Sequence, residues 1–428
     1  MDRLPLEMLQ QILACLYDLK SLRNAALSSR ILFNAFKSAE VLITSSIFLR
    51  QIHYSVLPEA IIVNQSWSIR RPSLAEAVEF AKKLKHREPV RTKWNIADAW
   101  PLVQFHEKVS YLASQAAHEA FACQPRLLTK RVSPVPTCGE MCRFERAIYR
   151  FQLYCNMAGD RLEVHETGHL NIFLECFATW ENEQLACIRE FFVRMVSRPF
   201  NCLVEHDVTW GYWRVGYIDK PWSEYALEIM CDGIERIYSL SQALNYTQLH
   251  ALLSGGEERE NTPLRVSGFV FSRLEKDPNP LVPTHIPLMG MQAKHRKLLY
   301  GKPFYEDPDP GPMAMWEWMN RGRHPGNTVS NLLMIAHRQW AYPFWDLSRL
   351  QAARLLGDFW TYGLWPKEDP ELEQYKEPER LARLEASREE RRSIRIAGGT
   401  GFYSPQDKSR IKWDVRNKIV SGTKVAAG

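Results

Sequence analysis

The sequence predicts a mainly α-helical protein: a small three-helix module over residues 1–40, a large irregular helical body over 41–365, and a charged, partly disordered tail over 366–428. Three observations predict it. Apolar residues recur at three- and four-residue spacing, as in Leu9, Ile12, Leu13 and Leu16, or Phe144, Ile148, Phe151 and Cys155. Helix-start signatures stand directly before such runs at Ser73–Glu76 and Thr137–Glu140, where a hydroxyl and a carboxylate three residues apart satisfy each other's backbone N–H. No repeat of 20–50 residues is apparent, which argues against leucine-rich and propeller arrays.

Taken in order, Pro5 suits the start of a first helix, because its fixed φ fits the first turn and its missing N–H is not needed there. Glu7 in that turn complements the helix dipole. Asp18 is a good N-cap for a second helix from Leu19 to about Ser29, with Leu19, Leu22 and Ala26 along one side. Ile31, Leu32, Phe33 and Phe36 suggest a third short turn. Residues 38–70 hold apolar runs too short to type. Helices are expected after Ser73, over Ala99–Ala122, from Thr137 to about Asn156, and after Thr179, where Leu185, Ile188, Phe192 and Met195 share a face. A long helix is expected from Ser223 to about Leu252. Eight prolines make 277–312 mostly irregular. Asp346 is placed to cap a helix through Leu347 and Leu350, residues 367–395 read as an exposed charged helix, and the last 30 residues as mobile.

Composition excludes several function classes. A net charge of +6 over 428 residues is too mild to argue for nucleic acid, so none is expected as a partner. No run of about 18 apolar residues occurs, so no membrane span is expected, and Asp2, Arg3 and Glu7 interrupt any leader-like stretch. Nine cysteines without a paired framework fit free thiols in a reducing compartment, so a cytoplasmic and/or nuclear location is expected. Residues 406–428 carry six basic against two acidic residues, a solvated end with a nuclear-targeting role open.

Several motifs bear on chemistry. His165-Glu166-Thr167-Gly168-His169 fits the H-E-x-x-H pattern, in which two imidazoles on one helix face hold Zn²⁺ and the glutamate serves as general base. The third ligand such a site needs is missing at the metzincin spacing, where Ile172 and Glu175 stand. Glu190 lies at gluzincin-like spacing but in a separate predicted helix. A connection between helices is the simpler reading, and a zinc-dependent hydrolase using His165, Glu166 and His169 is the enzymatic alternative. Cys138 and Cys142 could join those histidines, but read as structural thiols. Glu205-His206-Asp207 reads as a loop end and Gly398–Gly401 as a flexible tail. The tryptophans at 210–222 and 316–345 read as core. No catalytic, metal or cofactor residue is assigned, and the protein is expected not to be an enzyme.

Leu4-Pro5, Glu7, Ile12-Leu13, Asp18-Leu19 and Leu27-Ser28-Ser29-Arg30 resemble the F-box pattern, with Ile31-Leu32 where many F-boxes carry a tryptophan. Arg143–Phe151, Trp180–Leu185 and Trp340–Asp346 further resemble segments of fungal F-box-type proteins of uncharacterised activity. The resemblance implies that Leu4, Pro5, Ile12, Leu13, Leu16, Leu19 and Leu22 bind a Skp-type adaptor, and that the chain joins a cullin-type ubiquitin ligase and recruits an unknown protein target. A helical scaffold outside any ligase, with the N-terminal hairpin packed on its own body, is the other alternative.

Overall fold

Capping chemistry sets where the helices begin. In the computed structural model, which describes residues 4–69, 73–86, 91–123, 135–158, 172–208, 229–254, 281–283, 285–322, 334–357, 378–404 and 406–413, the chain is mainly α-helical. Helix α1 (Leu6–Ala14) starts directly after Pro5, with Glu7 in its first turn. Helix α2 (Leu19–Ser28) is capped by Asp18, whose Oδ1 accepts from Ser21 N at 2.6 Å. Ser29 ends α2 and caps α3 (Arg30–Ser38), accepting from Leu32 N at 3.2 Å. Helix α4 (Glu40–Gln51) follows, and Ile43, Ile47 and Phe48 are fully buried on it.

The three helices expected over residues 1–40 are α1, α2 and α3, and α4 packs on them. Arg50 on α4 donates to the carbonyls of Ala14 and Leu16, the latter at 2.9 Å, and Gln51 Oε1 accepts from Leu19 N at 3.0 Å, so α4 locks the α1–α2 turn in place. The far side of α4 meets the body: Ser45 Oγ accepts from Trp94 N at 2.8 Å, and the Phe48 and Trp94 rings lie 4.6 Å apart. The boundary expected at residue 40 thus falls inside one continuous apolar cluster running from Leu9 to Leu384. Three short helices make too small a core to stand alone, and α4 shares the body's core with them.

The body is arranged around a central helix. Helices α5 (Leu57–Ser66), α6 (Leu74–His86) and α7 (Ile96–Ala122) precede α8 (Cys138–Ala158), which packs most extensively on α5, on α7 and on α9 (Thr179–His206). Both expected capping boxes form. Ser73 N donates to Glu76 Oε2 at 2.8 Å, and Thr137 N to Glu140 Oε2 at 2.9 Å while Glu140 N returns to Thr137 Oγ1 at 3.1 Å. Asn95, by accepting from Asp98 N at 2.8 Å, starts α7 three residues earlier than the apolar pattern suggests.

Within the long helix expected over 223–252, the described residues hold a helical segment at 229–231, then α10 (Ile234–Ser241) and α11 (Tyr246–Ser254). Gly233, at φ +85°, precedes α10, a backbone conformation that L side chains avoid. A Cβ there would also lie 2.5 Å from Gln152 Oε1, the atom that accepts from Ile234 N. The proline-rich segment contributes α12 (Ala293–Tyr300) and α13 (Gly311–Asn320), followed by α14 (Ile335–Gln339) and α15 (Leu347–Ala352).

The tail is more ordered than its composition suggests. Helix α16 (Pro378–Ile396) is charged but buries Leu384, Arg391 and Ile394. It is followed by an antiparallel pair, β1 (Gly399–Thr400) and β2 (Lys412–Trp413). Val208, Ile394, Tyr403 and Ile411 make a second small core, sealed by Val208 N donating to Gly401 O at 3.0 Å. The glycine run at 398–401, expected to be a flexible tail, contains strand β1, and residues 414–428 of the expected mobile end lie outside the described residues. No single helix among the described residues is long and apolar enough to cross a membrane.

Candidate interaction surfaces

The N-terminal helices sort their apolar residues onto two faces. Leu9 and Leu13 lie one turn apart on α1 and point into the core, as do Leu19 and Leu22 on α2. Ile12 sits beside that stripe and is 40% exposed, while Leu4 is 42% exposed and Pro5 is exposed too. Leu16 is half-buried against the core. Of the seven residues expected to meet a partner, Leu4, Pro5 and Ile12 are at the surface. Leu13, Leu19 and Leu22 are core positions: they close α1 and α2 onto their neighbours, and Leu13 retains only 1% of its surface.

Leu6, Met8, Leu27, Ile31, Phe33, Val41, Leu42 and Leu49 are all exposed on these four helices, with Tyr17 and Tyr54 beside them. With Leu4 and Ile12 they make twelve of the nineteen large apolar side chains exposed among the described residues, within the first 54 positions. Scattered exposed hydrophobics need no explanation, but a local concentration on one rigid module does. Ile31 and Phe33 carried a legible signal, since they fall off the Leu32, Ala35, Phe36 stripe of α3.

The body presents a different surface, built over buried charge. Arg143, Arg146 and Arg150 lie one turn apart on α8 and are all buried. Asp307, on the irregular strap before α13, takes a bidentate pair from Arg143 at 2.8 and 3.0 Å and a further bond from Arg146 at 2.8 Å. Arg143 Nη1 also reaches Asp346 Oδ1 at 2.6 Å and the Phe344 carbonyl at 2.9 Å. Arg150 donates to Glu181 Oε1 and Gln184 Oε1, both at 3.1 Å. Two further bidentate pairs sit alongside: Arg349 on Glu140 at 2.7 and 2.8 Å, and Arg338 on Glu183 at 2.8 and 3.1 Å.

Electrostatics follow from this packing. Burial raises the Asp307 carboxyl, yet Arg143 and Arg146 more than offset that and hold it below its ordinary value. Burial pushes Glu59 up to about 7, against the pull of Arg150 and Arg146. Burial pushes His106 on α7 down to about 4; its Nδ1 lies 3.1 Å from the Tyr149 hydroxyl. Beside this network a cavity of about 360 Å³ opens between Arg146, Trp180, Glu181, Tyr305 and Asp307. Glu181 and Asp307 in its wall are held by α8 and by backbone amides, and the exposed Glu306 also lines it.

Asp346 illustrates how the network overrides local roles. It stands at the start of α15 as expected, but its side chain caps nothing there and serves Arg143 and Thr137 Oγ1 instead. Asp309 Oδ1 takes over, accepting from Leu347 N at 2.8 Å and Gly311 N at 2.7 Å. Trp316, Trp340 and Trp345 are core residues, whereas Trp210, Trp213 and Trp222 lie outside the described residues. His165, Glu166 and His169 also lie outside them. Asp207 of the Glu205-His206-Asp207 cluster is fully buried and accepts from the Tyr246 hydroxyl. Comparison with protein-family models, curated proteins and solved structures finds no match.

Proposed function

We propose that this protein is an F-box-type adaptor that docks a Skp-type protein on its N-terminal helices and recruits a protein target through its helical body, for ubiquitin transfer by a cullin-type ligase. The observation that carries this reading is the concentration of exposed apolar side chains on α1–α4, next to the Leu-Pro and Leu-Ser-Ser-Arg sequence pattern. Leu4, Pro5 and Ile12 belong to the docking face, and Met8, Ile31 and Phe33 extend the candidates. Leu13, Leu19 and Leu22 support it from within. Because α4 is fixed to α7 through Trp94, a docked partner would be held in a defined orientation to the body.

The test is direct binding of the full chain to a purified Skp-type adaptor. Leu4→Asp with Ile12→Asp should abolish binding while leaving the circular dichroism spectrum and melting temperature unchanged, since both side chains are exposed. Wild-type protein that does not bind, or a double variant that binds as well as wild type, overturns the proposal. A second reading, a helical scaffold outside any ligase, is favoured by the unbroken core between module and body. It predicts no adaptor binding and a different partner for the same apolar face.

A further inference from the structure

We propose that His53, Cys138 and Cys142 form a site for a thiophilic divalent cation, Zn²⁺ best of all, that clips the turn between α4 and α5 to the first turn of α8. One ligand atom from each of the three residues lies within 4.8 Å of the other two. A tetrahedral ion bonded to sulfur at about 2.3 Å and nitrogen at about 2.0 Å holds such atoms roughly 3.5–3.8 Å apart. Cys138 is exposed and His53 half-exposed, so side-chain rotation alone closes the difference, with Cys142 as the buried anchor.

The local chemistry fits. Cys138 is the first residue of α8 and Cys142 follows one turn later, so both sulfurs share a face of that helix. Ser55 holds the orientation of the imidazole: its N donates to His53 Nδ1 at 3.3 Å and its Oγ lies 2.8 Å from the same atom. Two thiolates neutralise the ion's charge in a region that already holds Arg146. Two sulfurs and one nitrogen are poor ligands for Ca²⁺ or Mg²⁺ and good ones for Zn²⁺. Three protein ligands leave the fourth position to water on the exposed Cys138 side. Binding replaces two S–H bonds by two metal–sulfur bonds and releases both protons to solvent.

The site is independent of the adaptor reading and of the H-E-x-x-H motif, and its test keeps them apart. Reduced, metal-free full-length protein is titrated with Co²⁺ and then Zn²⁺. The expected result is one Co²⁺ per chain with thiolate-to-metal charge-transfer and tetrahedral d–d absorption, displaced by Zn²⁺ with release of about two protons per ion. Cys138→Ser, at an exposed position outside the core, should abolish the charge-transfer pattern of a two-sulfur site and weaken Zn²⁺ binding at least about tenfold. His53→Ala should weaken it similarly while sulfur absorption persists. Octahedral Co²⁺ absorption without charge transfer, or tight Zn²⁺ binding undiminished in Cys138→Ser, overturns the assignment. The second outcome would direct attention to His165 and His169.

Discussion

Glu59→Gln should make this protein more stable at alkaline pH than the wild type, the reverse of what removing an ion-pair partner does. Glu59 sits on α5 with 3% of its surface exposed. Its Oε1 is 3.3 Å from Arg150 and 3.9 Å from Arg146, while its Oε2 has no hydrogen-bond partner. Glu59, Glu181, Asp307, Asp309 and Asp346 surround the guanidiniums of Arg143, Arg146 and Arg150, so acids outnumber bases around α8. The carboxyl with the weakest contacts is the one that keeps its proton, and burial carries Glu59 to about 7 from an ordinary 4.5. Because the folded state binds that proton more tightly than the unfolded chain, the contribution is fully present below pH 4.5 and is lost as pH rises through 7. The loss amounts to about 3 kcal/mol at one unit per 1.36 kcal/mol. Glutamine keeps the shape without the charge, so urea unfolding should show the variant matching the wild type near pH 4.5 and gaining up to about 3 kcal/mol on it above pH 7. A variant that loses more stability at pH 8 than at pH 5 would refute the reasoning and make Glu59 an ionised partner of Arg150.

His106 acts in the opposite sense: its depressed value of about 4 means its stabilising contribution is present above pH 6.5 and lost as pH falls toward 4. His106→Gln should therefore flatten the acid limb of the stability profile, by up to about 3 kcal/mol, in the same urea series. Leu13→Ala should cost about 2–5 kcal/mol from cavity formation, while Ile12→Asp changes stability by no more than about 0.5 kcal/mol, measured by chemical denaturation. Arg338→Met should cost about 3–5 kcal/mol by stranding Glu183 in the core, and adding Glu183→Met should restore part of it. Equal stability of the single and double variants would show that Glu183 is not stranded.

Much of the fold was legible because its signals are local. Asp18, Ser73 and Thr137 each act on an amide within three residues, so their caps could be read from spacing alone. The apolar stripes of α1 and α8 were likewise periodic within one helix. The burial of the arginines of α8 has no such local signal, because their partners are distant in the chain, from 31 residues for Arg150 and Glu181 to 203 for Arg143 and Asp346. Asp307 and Asp346 reach Arg143 across separations of 164 and 203 residues. His53 was missed for the same reason: nothing near it in the chain predicts Cys138 and Cys142. The exposed apolar surface of α1–α4 was half legible, since periodicity names an apolar residue but does not say whether its side is covered. Ile12 and Leu13 are neighbours in sequence and opposites in exposure.

The strap that carries Asp307 and Asp309 imposes an order on synthesis. Gly311, where a Cβ would lie 2.3 Å from Trp345 O, lets it seat against α15 while Asp309 caps that helix. Until the ribosome has delivered this strap and Phe344–Asp346, Arg143 lacks the carboxylates that hold it in the core, and Arg146 has Glu59 at 3.9 Å but not Asp307. The N-terminal half therefore emerges unable to complete its own interior, and its central helix must wait, exposed or chaperoned, for the last third of the body. Fragments cut between the N-terminal helices and Asp346 should be insoluble, however well the N-terminal module alone matches its motif.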